Sequence, residues 1–303
     1  MLIVEEEEEG RKSLGESLSS IQSMIQQEVK SYQFQDYLQD SILVAPQHRK
    51  MMAEWCNYIA DYIGYSHETV EIAMNCFDRF ASTPEGRNVL DDRNLFERGV
   101  ITSLYTVTKI HEQKFLGLDD LEVICKGKHS QEDFKLMELR ILGSLDWKLN
   151  PPTSMCFVRT LLDLFPFNDT SNNKELVIEI ASHQVQHAML EYDICRKGAF
   201  QIAFAALLNG LQIVTTDERV CERYAESLVS RVSNLAKNPF LSDLRDELYQ
   251  VIPTEMKPEN DTLNSTSTSS LVSYGVQHTS MFNNRSQLYT PATRQTAQQA
   301  PAG

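Results

Sequence analysis

Two stretches of this sequence are apolar or small nearly all the way round when wound as helices, and they set the terms for everything around them. Residues 100–110 read VITSLYTVTKI and residues 199–214 read AFQIAFAALLNGLQIV. A helix with no broad polar face is one enclosed by other helices. A chain carrying two of them needs two shells of amphipathic helices, and at 303 residues with 42% hydrophobic content it has the material for two cores.

The flanking sequence supplies both shells. Met52, Trp55, Ile59 and Ile63 form one stripe at helical spacing, and after Gly64 a second runs through Val70, Ala73, Phe77 and Phe80 or Ala81 until Pro84 and Gly86 break the chain. The first enclosed helix is expected over 94–113, a short one over 117–125 ended by Gly127, and a fifth over 131–148. That fifth carries Glu138, Leu142, Leu145 and Trp147, and Pro151 and Pro152 are expected to stop it, because proline lacks the backbone donor and blocks the preceding turn. The order then recurs. Met155, Val158, Leu162 and Phe165 make a helix closed by Pro166; Leu176 to Tyr192 makes a second; the enclosed Ala199 to Val214 helix is the third. Asp217 is the N-cap expected before Val220, Tyr224, Leu228, Val232 and Leu235, and a last helix carries Leu241, Leu244 and Leu248 before Pro253.

Ahead of the first shell, Glu5 to Glu9 form a like-charge run, and Leu14, Leu18, Ile21, Ile25 and Val29 follow at steps of four, three, four and four, the period of one helix face. From Pro253 on, Ser, Thr, Asn, Gln and Pro dominate and hydrophobics are isolated, too few to offset the cost of ordering the chain. The expected fold class is all-α: an acidic N-terminus and amphipathic helix (1–45), two tandem five-helix domains (46–150 and 151–252), and a disordered Ser/Thr/Pro-rich tail (253–303).

Composition excludes several functions. A formal net charge of -14 argues against a sequence-independent hold on nucleic acid, whose phosphates demand clustered Lys and Arg. No apolar run reaches membrane-spanning length, so no membrane partner is expected. The six cysteines, at 56, 76, 125, 156, 195 and 221, form no C-x-x-C pair, which reads as buried free thiols in a reducing compartment, with neither disulfide nor zinc. The phosphate-cradling, dinucleotide, nucleophile-elbow and H-E-x-x-H patterns are all missing. His183 and His187 stand at i and i+4, the spacing that can hold a metal, but Cys195 is too isolated to join them and no acidic residue is placed with them. No catalytic residue, metal or cofactor is expected, and the chain is not read as an enzyme.

The informative residues recur in order: R-K-M-M-A-E-W (49–55), D-R-F (78–80), T-K-I-H-E (108–112) and M-E-L-R-I-L-x-x-L-D-W-K-L-x-x-P-T (137–153). Alone, each is an ordinary amphipathic helix. Together they resemble the cyclin box, closest in flavour to the G1 and D-type cyclins, over about 46–153; the segment 154–250 resembles the second cyclin box only in helix count and in its A-x-Q-I-A-F-A-A element. His48 stands where the family has Met before Arg49, Tyr58 where some members have Glu, and Arg98 where an ungapped register places a leucine.

The resemblance implies a regulatory subunit that binds and activates a cyclin-dependent kinase catalytic subunit, in G1 or G1/S control of the cell cycle. Cyclin-like regulators of transcriptional or nutrient-sensing kinases are the alternative, and transcription-initiation factors with two cyclin-like repeats a more distant one. It implies that Lys109 and Glu138 pair at the kinase interface, that Ile110, Leu142 and Trp147 receive a kinase helix, and that Arg49 and Asp78 form an internal ion pair tying two helices. It further implies a docking patch at Met51, Met52 and Trp55 for R-x-L-containing substrates or inhibitors, for which core packing is an equal reading. The run 253–270 resembles the degradation-prone tails of short-lived G1 cyclins, implying a ubiquitin ligase as partner, with a plain solvated tail as the other reading. Arg11 to Leu14 fits a minimal R-x-x-L, and Thr290-Pro291 a site for the partner kinase. Residence in the nucleus and/or cytoplasm follows from the same resemblance.

Overall fold

In the first of the two enclosed stretches, the computed structural model shows how polar residues are accommodated. It describes residues 2–165, 173–215, 218–231 and 241–258. Helix α4 (Arg93–His111) starts at Asp92, whose side chain accepts from the Asn94 amide. Its Thr102, Ser103, Thr106 and Thr108 are all buried, and each hydroxyl returns a hydrogen bond to a main-chain carbonyl, those of Arg98, Gly99, Thr102 and Tyr105. No buried hydroxyl of α4 is therefore left unpaired. Around α4 lie α2 (Pro46–Ile63), α3 (His67–Ser82), α5 (Leu118–Ile124) and α6 (Gln131–Ser144). Phe77 and Phe80 of α3 and Ile141 of α6 pack with Val100, Leu104 and Val107 in the first core. Gly99 lets α3 approach closely, since a Cβ there would lie 2.8 Å from the Phe77 ring.

The second core repeats the plan around α10 (Ala199–Val214), with α7 (Ser154–Leu162), α8 (Asn173–Leu190), the four-residue α9 (Tyr192–Cys195), α11 (Glu218–Arg231) and α12 (Leu241–Gln250). Gly210 serves there as Gly99 does in the first, with Val177 of α8 3.2 Å from where a Cβ would be. The described residues contain helices and no strand, so the all-α fold holds. Pro166, Asp217, Val232 and Leu235 lie outside the described residues, as do Glu259 to Gly303, which hold most of the tail. Thr254–Met256 form a 3₁₀ turn at the tail's start.

Three expectations need correction. Helix α6 ends at Ser144, well before the prolines. The Asp146 amide donates to Gly143 and the Trp147 amide to Leu142, the paired bonds of a Schellman cap, with Asp146 (φ 50°) in the left-handed position usually taken by glycine. The expected helix to Tyr192 divides into α8 and α9. The stripe of the N-terminal helix α1 (Leu2–Gln27) also breaks at its last member: Ile21 and Ile25 are buried against α7 and α10, but Val29 is 55% exposed. A π-turn over Glu28–Tyr32 adds a residue to the helical register, so Glu28 takes the inward place.

Beyond that turn, residues 33–38 form an irregular strap along the outer face of α3. This face is polar at helical spacing, and every member is engaged. Glu68 accepts from the Thr153 hydroxyl, Glu71 from the Ser154 amide and hydroxyl (2.8 and 2.7 Å), and Asp78 from Tyr37 (2.7 Å). Asn75 donates to the Tyr32 carbonyl, Ser82 to that of Gln35 and Arg79 to that of Lys148. The strap and the inter-helix linker 148–154 are thus both held by α3. Glu28 completes the tie by accepting from the Ala199 and Phe200 amides at the start of α10.

Candidate functional site

Lys109 lies in the last turn of α4 and Glu138 in the middle of α6, and the packing of these two helices brings them into an ion pair. Their side chains are 29% and 15% exposed, so the pair is at the surface without being freely solvated. Thr106 donates to the same Glu138 oxygen at 2.9 Å, and the Lys109 ammonium sits 4.3 Å from the centre of the Tyr105 ring. Tyr105 and Thr106 precede Lys109 by four and three residues, the helical spacing at which side chains meet. Sequence reasoning passed over both, although that spacing points to them.

Ile110 (57% exposed) and Trp147 (70% exposed) both project into solvent. Trp147 also has a positive φ, 59°, directly after Asp146. Left-handed backbone at a bulky residue costs roughly 1–3 kcal/mol and persists only where neighbours enforce it. Leu142 differs from the other apolar members of the set. It is 7% exposed and belongs to the first core, beneath the turn that folds back onto its carbonyl.

Met51, Met52 and Trp55 are each half-buried on α2. Met52 and Trp55 pack against the first core and against the small cluster of Ile101, Tyr105, Leu121 and Phe134. Arg49 and Asp78, each 1% exposed, are joined twice: Nε to Oδ1 at 2.8 Å and Nη2 to Oδ2 at 2.7 Å. Burial opposes the Arg49 charge, but the Asp78 carboxylate outweighs it and the guanidinium is held more firmly protonated than usual. Arg98 is accommodated by an ion pair with Asp133 and a hydrogen bond to His129.

The six cysteines form no disulfide with one another. Burial pushes the thiols of Cys56 and Cys76 up to about 12, which makes them poor nucleophiles. Among the described residues no three His, Cys, Asp or Glu side chains are grouped to hold a metal, and no helix is long and apolar enough to cross a membrane.

Residues 19–150 match the family model described as the cyclin, N-terminal domain. Among curated proteins, the chain is 26% identical over 133 residues to G1/S-specific cyclin-E1 of Gallus gallus, covering 44% of this chain and 32% of that protein. It is 26% identical over 140 residues to G1/S-specific cyclin CLN2 of Candida albicans, covering 46% of this chain and 29% of that one. A longer match, 24% identical over 192 residues, links it to G2/mitotic-specific cyclin-B1 of Caenorhabditis elegans, with 62% of this chain and 52% of that protein covered. The aligned stretch thus spans about a third of the first two relatives and half of the third. The structure of a viral cyclin from herpesvirus saimiri superposes with a TM-score of 0.59 at 14% identity, over 76% of this chain and 95% of that one, a likeness of fold that reaches past residue 150. Residues 19–150 thus carry a cyclin N-terminal domain, and the fold is similar to that of a cyclin across most of the chain.

Proposed function

We propose that this chain is a regulatory subunit that binds a cyclin-dependent protein kinase and shifts it into its active arrangement, doing no chemistry itself. The observation that carries the reading is the Lys109–Glu138 pair, assembled in the free chain and flanked by exposed Ile110 and Trp147. A helix presented by a kinase needs apolar anchors for affinity and a few polar groups for register. Ile110 and Trp147 supply the first, and the partly exposed ion pair, which can share its hydrogen bonds with a partner's backbone, supplies the second. A kinase is active only when its own Lys–Glu pair and metal-binding Asp are aligned. A partner that binds only the aligned state shifts that population.

G1 or G1/S timing is the finer part of the proposal, favoured by the names of the first two relatives and tempered by the mitotic one. The test is activation of purified cyclin-dependent kinase catalytic subunits, each assayed alone and with the chain on a peptide substrate. Lys109→Ala with Glu138→Ala is expected to abolish both complex formation and activation, with the circular-dichroism spectrum remaining helical. Truncating one member of such a pair costs about 2–5 kcal/mol, much of it from the charge left behind. Full activation by the double variant would overturn the reading.

A further inference from the structure

The exposed Trp147 sits on two consecutive left-handed residues, and nothing in its own side chain explains why the backbone holds there. Main-chain bonds close the turn, and a further hold on it comes from α3. Arg79 of α3 is 6% exposed, and its Nη1 donates to the Lys148 carbonyl at 2.7 Å, the carbonyl immediately after Trp147. No carboxylate pairs with Arg79 among the described residues. Its second contact is the ring of Tyr32, 4.8 Å from the guanidinium carbon. Tyr32 is the last residue of the π-turn, and its own carbonyl is held by Asn75 at 2.9 Å.

A buried guanidinium without a carboxylate is an unusual expense, and here its hydrogen bond is directed at a strained turn. We propose that Arg79 is a positioning residue for the kinase-binding surface: braced by Tyr32, it pins the Lys148 carbonyl and so keeps the left-handed turn that presents Trp147 to the partner. The chain of contacts runs from the N-terminal segment through Tyr32, Arg79 and the Lys148 carbonyl to Trp147. Docking of the segment after α1 is thereby coupled to the shape of the surface that carries Trp147. The pairing of Asp146 with Lys148 does not serve instead, because its 3.7 Å separation is solvent-exposed on both sides. The inference rests on the proposed kinase-binding function for its consequence, but the positioning itself is measurable without a kinase.

The protein has two tryptophans, so Trp55→Phe leaves Trp147 as the only indole reporter. In that background, Arg79→Met and, separately, Tyr32→Leu are expected to lower the steady-state fluorescence anisotropy of Trp147, with far-UV circular dichroism unchanged. Tyr32→Leu removes only a half-buried ring and keeps the measurement informative if Arg79→Met fails to fold. Unchanged anisotropy in Tyr32→Leu and in any folded Arg79→Met would overturn the proposal.

The second arm is a double-mutant cycle, using the catalytic subunit that the wild-type chain activates. Arg79→Met should weaken binding about tenfold in the wild type and less than about twofold when Trp147 is already Ala, because residues that act through one another are not additive. Equal losses in both backgrounds would mean that Arg79 acts by general destabilisation, and would also overturn it. If Lys109→Ala with Glu138→Ala binds the kinase normally, the surface has been misassigned, and the anisotropy result alone then decides whether Arg79 positions the turn.

Discussion

Asp78→Ala removes one side chain and abandons another. The Asp78 carboxylate accepts from Arg49 twice, at 2.8 and 2.7 Å, and from the Tyr37 hydroxyl at 2.7 Å, all in a site where both charges are 1% exposed. Arg49 retains its Nη1 bonds to the Met189 and Leu190 carbonyls, at 2.9 and 3.5 Å, but loses its counter-charge. Breaking a buried ion pair from one side costs about 3–5 kcal/mol, chiefly because the remaining charge is uncompensated. For a folded region of this size each kcal/mol moves the melting temperature by about 2–4 °C, so a fall of about 6–20 °C is expected. The assay is urea denaturation followed by circular dichroism, with wild type, Asp78→Ala, Arg49→Met and the double variant. If the abandoned charge is the cause, Arg49→Met in the Asp78→Ala background restores part of the loss. Additive losses, or a single-variant loss under about 1 kcal/mol, would refute the reasoning.

Two further outcomes concern the ties to the second bundle. Burial lifts the Glu28 and Glu71 carboxyls from 4.5 to about 7, against the main-chain donors that lower them. The folded state therefore holds protons that the unfolded chain has released, so the stability from these groups is complete below pH 4.5 and is lost as pH rises through about 7. Glu28→Gln with Glu71→Gln should gain on the wild type as pH rises across that window, by up to ~3 kcal/mol per group, in denaturation series at pH 5 and pH 8; a constant difference would contradict it. Gly198 has φ 97°, and a Cβ there would lie 2.7 Å from the Glu28 carboxylate, so Gly198→Ala is expected to cost about 1–3 kcal/mol in the same assay. A neutral result would show that the anchor yields at no cost.

The parts of the fold readable from sequence were those governed by local rules. The enclosed helices announced themselves by lacking a polar face. Asp92, Ser66, Ser130 and Thr153 also obey a local rule, each accepting from an amide two or three residues in, but sequence reasoning passed over them, and the one N-cap expected, Asp217, lies outside the described residues. What could not be read depended on non-local partners. Ending α6 at Ser144 requires two non-glycine residues in left-handed conformation, which no propensity scale favours and which Arg79, far away in the chain, helps to hold. The π-turn at Glu28 is equally invisible, because it exists to aim a carboxylate at the start of a helix that lies beyond the first bundle. At the candidate site, the motif order singled out Lys109 and Glu138. The core position of Leu142 and the supporting roles of Tyr105 and Thr106 emerged only from packing.

The polar face of α3 and the Glu28 tie have a consequence for how the two halves of such a chain can diverge. Several bonds from the first half reach main-chain atoms of the second: the Ser154 amide, the Met189 carbonyl, and the Ala199 and Phe200 amides. A side chain that binds a peptide group imposes almost nothing on the residue carrying it. At these points the first bundle must keep the chemistry of Glu71 and Arg49 while the second needs only a backbone in the right place; the second half's own side-chain contributions are concentrated at Thr153, Ser154, Arg159, Glu191, Tyr192 and Arg196. Drift in sequence is thereby tolerated unevenly, and a second bundle can diverge widely from its relatives while the few side chains at the joint and the backbone between them hold the halves together.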